Sequence, residues 1–191
     1  MECFLKDSVE NKIAILGLDS VGKTCLVRNL FTKKANLELH PPRTHGIEVS
    51  ESILKKSNGE KIPIMFIDVG GLSVFQVTLW PELVASNIKG IIYIVDIQNQ
   101  QRFNNDLQAF NNVVNKTKVP ILVLGNKFDL LEDMGNSMNT NHLFEILDIV
   151  EYKINDPFRE IIVLPISVKN RINIDLVENW LYKVLTKNAK K

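Results

Sequence analysis

The chain has 191 residues, enough for one well-buried domain and too few for two comfortable ones, so its motifs are expected to serve a single site. Hydrophobic residues at 45% and charged residues at 24% exclude disordered, collagen-like and membrane-spanning classes. A net charge of +1 points to no class of partner, and no nucleic acid is expected.

Residues 1–11 are read as a short N-terminal arm, 12–188 as the folded domain and 189–191 as a basic tail. The arm holds Cys3, Phe4, Leu5 and Val9, with no apolar stretch of the signal-peptide kind, so a cytoplasmic protein is expected. Its apolar residues read first as local packing or fraying, and second as a small apolar face that docks on the domain. Glu2 excludes N-myristoylation, and residues 187–191 lack a prenylation box, which leaves little in the sequence to support membrane contact. With only Cys3 and Cys25 present, a structural disulfide is not expected.

A β-rich run at 12–16 stops at Gly17, and an apolar-periodic stretch through Leu26, Val27, Leu30 and Phe31 follows, giving strand, glycine loop and helix. Residues 47–54 and 62–67 form an antiparallel pair turned at Asn58-Gly59. Beyond them strand and helix alternate: strand 90–96, helix 102–114, strand 119–125, helix 140–150, loop 154–157, strand 161–165, helix 174–185. The predicted fold is therefore α/β: three layers, with a mostly parallel six-stranded sheet, one antiparallel edge strand and helices on both faces. Chemistry is expected in loops at the carboxyl ends of the strands.

Those loops carry the motifs. Gly17-Leu18-Asp19-Ser20-Val21-Gly22-Lys23-Thr24 fits GxxxxGK[ST], in which backbone N–H groups wrap phosphates, the lysine reaches the β and γ oxygens, and the threonine hydroxyl serves Mg²⁺. Asp19, Ser20, Val21, Gly22, Lys23, Thr24 and Cys25 form the expected phosphate-side set. Asn126-Lys127-Phe128-Asp129 fits NKxD. There the Asp129 carboxylate would accept from the ring N–H and amino group of guanine, whereas adenine would leave it unpaired in a dry pocket. Lys127 would lay its stem along the base, and Asn126 would tie this loop to the phosphate loop. Ser167-Val168-Lys169, after the last strand, offers a backbone N–H to the guanine carbonyl; alone it reads equally as an ordinary strand-to-helix turn. Asp68-Val69-Gly70-Gly71 places a carboxylate near Mg²⁺ and the Gly71 amide at a γ-phosphate, and Thr44 lies in a loop able to sense that phosphate.

In this order the five elements resemble the Ras superfamily of small GTPases over roughly residues 12–185. The closest resemblance is to the Arf and Arf-like branch: GLDSVGKT is similar to its GLDxxGKT, DVGG stands where Ras-type chains have DTAG, and GIIYIVD resembles its fourth strand. Arg43-Thr44-His45-Gly46 is also similar to the THG element of Roc domains. The resemblance implies GTP or GDP with Mg²⁺ as ligands, Thr24, Thr44 and Asp68 around the metal, and Lys23, Thr44 and Gly71 as the catalytic set. An exchange factor, an activating protein and an effector are implied as partners through the two switch segments.

One departure matters most. The family's usual glutamine after DVGG, which orients the attacking water, is Leu72 here, so slow GTP hydrolysis is expected. Gln76, one helical turn or about 5–6 Å further on, and His45 are candidate substitutes. Leu72, Val74, Phe75, Leu79 and Trp80 divide between core and effector surface. The alternative is a pseudo-GTPase or GTP-loaded subunit of a heterodimer; a P-loop kinase or ATPase is disfavoured by NKFD.

Overall fold

The computed structural model describes residues 10–31, 36–55, 59–132, 143 and 145–187. The arm residues Cys3, Phe4, Leu5 and Val9, the turn residue Asn58, residues 140–142 and 144 of the expected 140–150 helix and the basic tail lie outside the described residues.

The sheet has six strands: β1 (Lys12–Leu16), β2 (Ile47–Lys55), β3 (Lys61–Val69), β4 (Gly90–Asp96), β5 (Ile121–Asn126) and β6 (Ile161–Pro165), in the spatial order β2-β3-β1-β4-β5-β6. β1 pairs in parallel with β3 and β4, β4 with β5 and β5 with β6, while β2 alone runs antiparallel, against β3. The central strands read as unbroken apolar runs because both their faces are covered, and Ile13 to Leu16 and Ile91 to Val95 are fully buried. β2, at the edge, alternates exposed and half-buried residues and carries Glu48, Glu51 and Lys55, charges that discourage edge-to-edge pairing.

The helices are α1 (Lys23–Asn29), α2 (Ser73–Thr78), α3 (Trp80–Ala85), α4 (Phe103–Val114, entered through a 3₁₀ turn at Gln100–Arg102), α5 (Asp129–Glu132), α6 (Ile149–Asn155) and α7 (Ile174–Lys187). Right-handed crossovers leave β1 in opposite directions, toward β3 and, by way of β3, toward β4. That puts α1 on one face of the sheet and α3 and α4 on the other. On the second face Trp80, Tyr93, Phe110 and Tyr152 form a chain of edge-to-face rings with centroids 6.2, 5.1 and 6.0 Å apart. Each such pair is worth about 0.5–1.5 kcal/mol beyond its area burial. Trp80 is thus core, with its indole Nε1 donating to the Gly70 carbonyl at 3.2 Å.

Several element boundaries differ from the sequence reading, β5 for one beginning at Ile121 instead of 119. β3 runs through Asp68 and Val69, so Asp68 lies within the strand: its pairing with β2 extends to Ile47 opposite Val69. α6 reaches Asn155 and takes in part of the expected 154–157 loop, because Ile149 is buried and Tyr152 joins the ring chain. The segment after β3 holds two short helices. α2 holds no fully buried residue, its Phe75 packing half-buried against the core, and covering the sheet falls mainly to Trp80, Leu83 and Val84 of α3. Among the described residues no helix is long and apolar enough to cross a membrane.

Candidate functional site

The parallel strands deliver their carboxyl ends to one edge of the sheet, and four loops meet there. The 17–23 loop leaves β1 and enters α1 with Gly22 at φ 101°, a left-handed value that strains any residue with a Cβ. Space demands glycine there as well, since a Cβ would overlap the Asn126 amide nitrogen. That amide donates to the Val21 carbonyl at 2.9 Å, and the Val168 N–H approaches Asn126 Oδ1 at 3.4 Å. Asn126, 5% exposed, therefore links the 17–23, 126–129 and 167–169 loops, the role expected of it with one further loop added.

Asp129 is buried beside this junction, and Ser167 is fully buried with its hydroxyl accepting from the Asn170 N–H at 3.0 Å. Val168 is buried and Lys169 exposed. Lys127 has φ 69°, and its Nζ lies 2.5 Å from Asp96 Oδ2 at the end of β4. Arg171, also in the left-handed region, donates to the Asn29 and Leu30 carbonyls at 2.9 and 3.2 Å, tying the last loop to the end of α1.

At the other end of the groove, three oxygens converge. Thr24 Oγ1 lies 2.5 Å from Asp68 Oδ2 and 2.8 Å from Thr44 Oγ1, and Thr44 Oγ1 donates to Asp68 Oδ2 at 3.1 Å. Asp68 Oδ1 is buried without a hydrogen-bond partner among the described residues. Burial pushes the Asp68 carboxyl up, although the Thr24 hydroxyl, the nearby Lys23 charge and the Thr44 hydroxyl all oppose the rise. Hydroxyl and carboxylate oxygens with one acceptor unsatisfied suit a hard divalent cation such as Mg²⁺. Among the described residues no group of three His, Cys, Asp or Glu could hold another metal.

Lys23 is buried with its Nζ donating to the Leu18 carbonyl at 2.7 Å. Burial lowers its pKa to about 8, against the raising charges of Asp68 and Asp19. Gly71 packs on the Leu18–Asp19 peptide so closely that a Cβ would overlap it. The Gly70 N–H donates to the Gly46 carbonyl at 2.9 Å, strapping the segment around Thr44 to the 70–72 segment. Together the 19–25, 39–45 and 70–72 segments line a cavity of about 360 Å³.

Leu72 lines that cavity and is 40% exposed. Gln76 turns away: its Nε2 donates to the Gly71 carbonyl at 2.9 Å, and its side chain sits in a small recess with Trp80 and Lys116. His45 is exposed at the cavity wall.

Sequence reasoning missed Asp96, Arg102, Arg171 and Asn29. Arg102 donates to the Asp19 carbonyl at 3.1 Å and carboxylate at 2.6 Å, and Asn29 exchanges hydrogen bonds with the Glu38 backbone at 2.6 and 2.7 Å, fixing the start of the segment that leads to Thr44. Asp96, closing the GIIYIVD run, was the one with a visible signal.

Strand order, loop placement and the convergence at the carboxyl edge define the class as a P-loop GTPase of the small type. The model of the ADP-ribosylation factor family matches residues 1–185, and the chain belongs to that family. It is 28% identical over 183 residues to ADP-ribosylation factor-like protein 8c of Arabidopsis thaliana, covering 94% of this chain and 89% of that one. Protein 8b of the same plant is 27% identical with the same coverage. In fold the chain is similar to the Arl6 (BBS3) small GTPase of Trypanosoma brucei, solved with the nucleotide analogue GppNp bound, at a TM-score of 0.69 and 18% identity over 93% of this chain and 98% of that one.

Proposed function

We propose that the chain is a guanine-nucleotide switch that holds GTP or GDP with Mg²⁺ and hydrolyses GTP slowly. The convergence of Thr24, Thr44 and Asp68 carries the reading, because it brings one hydroxyl from the phosphate loop, one from switch I and a strand carboxylate to a single point. Thr24, Thr44 and Asp68 would hold Mg²⁺, which when bound neutralises charge on the β and γ oxygens. Lys23 binds the same oxygens, and the Gly71 amide meets the third phosphate. Thr44 and Gly71 therefore let go together when that phosphate leaves. Asn126, Lys127, Asp129 and the 167–169 loop hold the base, with Asp129 selecting guanine.

Slow hydrolysis follows from two side chains. Leu72 has no group to orient a water molecule, and Gln76 is committed to the Gly71 carbonyl. Exchange factor, activating protein and effector would dock on the switches, where Leu72, Val74 and Val77 are exposed, as are Ile47 and Val49 of the edge strand.

Leu72 also favours a second reading, a GTP-loaded subunit that turns over too little to cycle. Single-turnover hydrolysis separates the two. The switch reading expects measurable wild-type turnover that rises at least about tenfold in Leu72→Gln, the effect of about one hydrogen bond made to the attacking water. Equal, fast rates in both proteins contradict the role given to Leu72; GTP retained intact in both supports the subunit.

A further inference from the structure

We propose that Arg102 is a positioning residue that sets the preference for GTP over GDP by holding the Asp19 carboxylate away from the terminal phosphate. The inference rests on the guanine-nucleotide reading and extends it to a residue outside every motif.

Asp19 is an awkward residue for a loop that cradles anions. It lines the cavity, and its peptide is the surface on which Gly71 packs, so it stands at the end of the loop nearest the third phosphate. A carboxylate free to turn into that space would repel the γ-phosphate far more than it would GDP, which lacks it. Arg102 prevents the turn. From the 3₁₀ turn after β4, 83 residues along the chain, it donates through Nη1 to the Asp19 carbonyl and through Nη2 to Asp19 Oδ1. One guanidinium thus fixes both the peptide and the side chain, a two-point grip that lysine cannot copy. The balance at Asp19 shows the hold: burial works to raise its carboxyl, yet the hydrogen bond and charge of Arg102, with Arg43 of switch I adding charge, keep it below the usual carboxylate range. Both partners are about 30% exposed, leaving the carboxylate room to move once released.

The test is equilibrium binding of fluorescent GDP and of a non-hydrolysable GTP analogue, with Mg²⁺, to wild type, Arg102→Ala, Arg102→Lys, Asp19→Asn and Asp19→Asn/Arg102→Ala, each checked by thermal melting. Arg102→Ala is expected to weaken the GTP analogue by about tenfold or more while GDP changes little, with Arg102→Lys intermediate. Asp19→Asn alone should shift the preference toward the GTP analogue, and the double variant should recover most of what Arg102→Ala loses. Equal loss for both nucleotides, no loss, or a loss that Asp19→Asn does not recover would make Arg102 a brace and overturn the proposal. Should Arg102→Ala not fold, a double variant that folds but still disfavours the GTP analogue overturns it, and one that matches wild type supports it. If wild type binds neither nucleotide, the guanine-nucleotide reading itself has failed; tight wild-type binding with the wrong variant pattern sinks this inference alone.

Discussion

Replacing Asn126 by alanine removes the side chain that joins three loops of the site. The 2.9 Å bond to the Val21 carbonyl is lost outright, leaving a buried acceptor without its donor, which costs about 1–3 kcal/mol. The 3.4 Å contact from Val168 is long and adds at most about 0.5 kcal/mol. A total near 2–3 kcal/mol corresponds to a fall in Tm of about 4–10 °C for a domain of this size. Urea titration and thermal melts of nucleotide-stripped protein in EDTA read this directly. Excess GDP should then widen the gap between wild type and variant, by about 1.4 kcal/mol for each tenfold loss of affinity, because phosphate and base loops no longer hold register. Asn126→Asp keeps the shape but sets a carboxylate against the Val21 carbonyl, and should fare no better than alanine. A loss under about 0.5 kcal/mol in alanine, with GDP stabilisation unchanged, would refute the bridge.

Further expectations concern switch II and two buried charges. Gly71→Ala drives a Cβ into the Leu18–Asp19 peptide, so affinity for a GTP analogue should fall at least about tenfold with GDP little affected, measured by nucleotide competition. Asp106 is buried with Oδ1 unpartnered, and burial, aided by the Asp96 charge and opposed by Arg102 and Lys23, raises its pKa to about 7. The folded state then keeps a proton that the unfolded chain gives up near pH 4. Stability should therefore fall as pH rises from about 4 to 7, on the order of 2–4 kcal/mol, and Asp106→Asn should flatten the fall in denaturation series across that range. Lys23, lowered to about 8, is mostly neutral at pH 9 in the free protein. Nucleotide binding at that pH should draw in a proton, seen by calorimetry in buffers of different ionisation enthalpy and absent in Lys23→Met.

The sequence made the strands legible wherever burial on both faces left unbroken apolar runs; β1, β4 and β6 fall where the β-rich segments place them. The 17–24 and 126–129 segments were legible as turns at the ends of β1 and β5, because each motif fixes residue type at set spacing after an apolar run. The ends of β3 and α6 were not, since tertiary pairing with β2 and packing of Tyr152 extend them past any local signal. Val74 and Trp80 show the same limit in switch II: both are large and apolar, and only the fold decides that Trp80 is core and Val74 is 53% exposed. Long-range clamps were the least legible. Arg102 meets Asp19 across 83 residues and Arg171 meets Asn29 across 142, and neither arginine belongs to a spacing pattern. Gln76, judged by helical geometry alone, was an open substitute for Leu72 until its bond to the Gly71 carbonyl turned it from the cavity.

Isothermal titration of nucleotide-stripped protein with GTP, GDP and ATP in the presence of Mg²⁺ tests the central claim most directly. Binding of both guanine nucleotides, with ATP weaker by at least about a thousandfold, is the result expected when a buried carboxylate at Asp129 must be satisfied by the base. ATP held as tightly as GTP, or no nucleotide held at all, would contradict it.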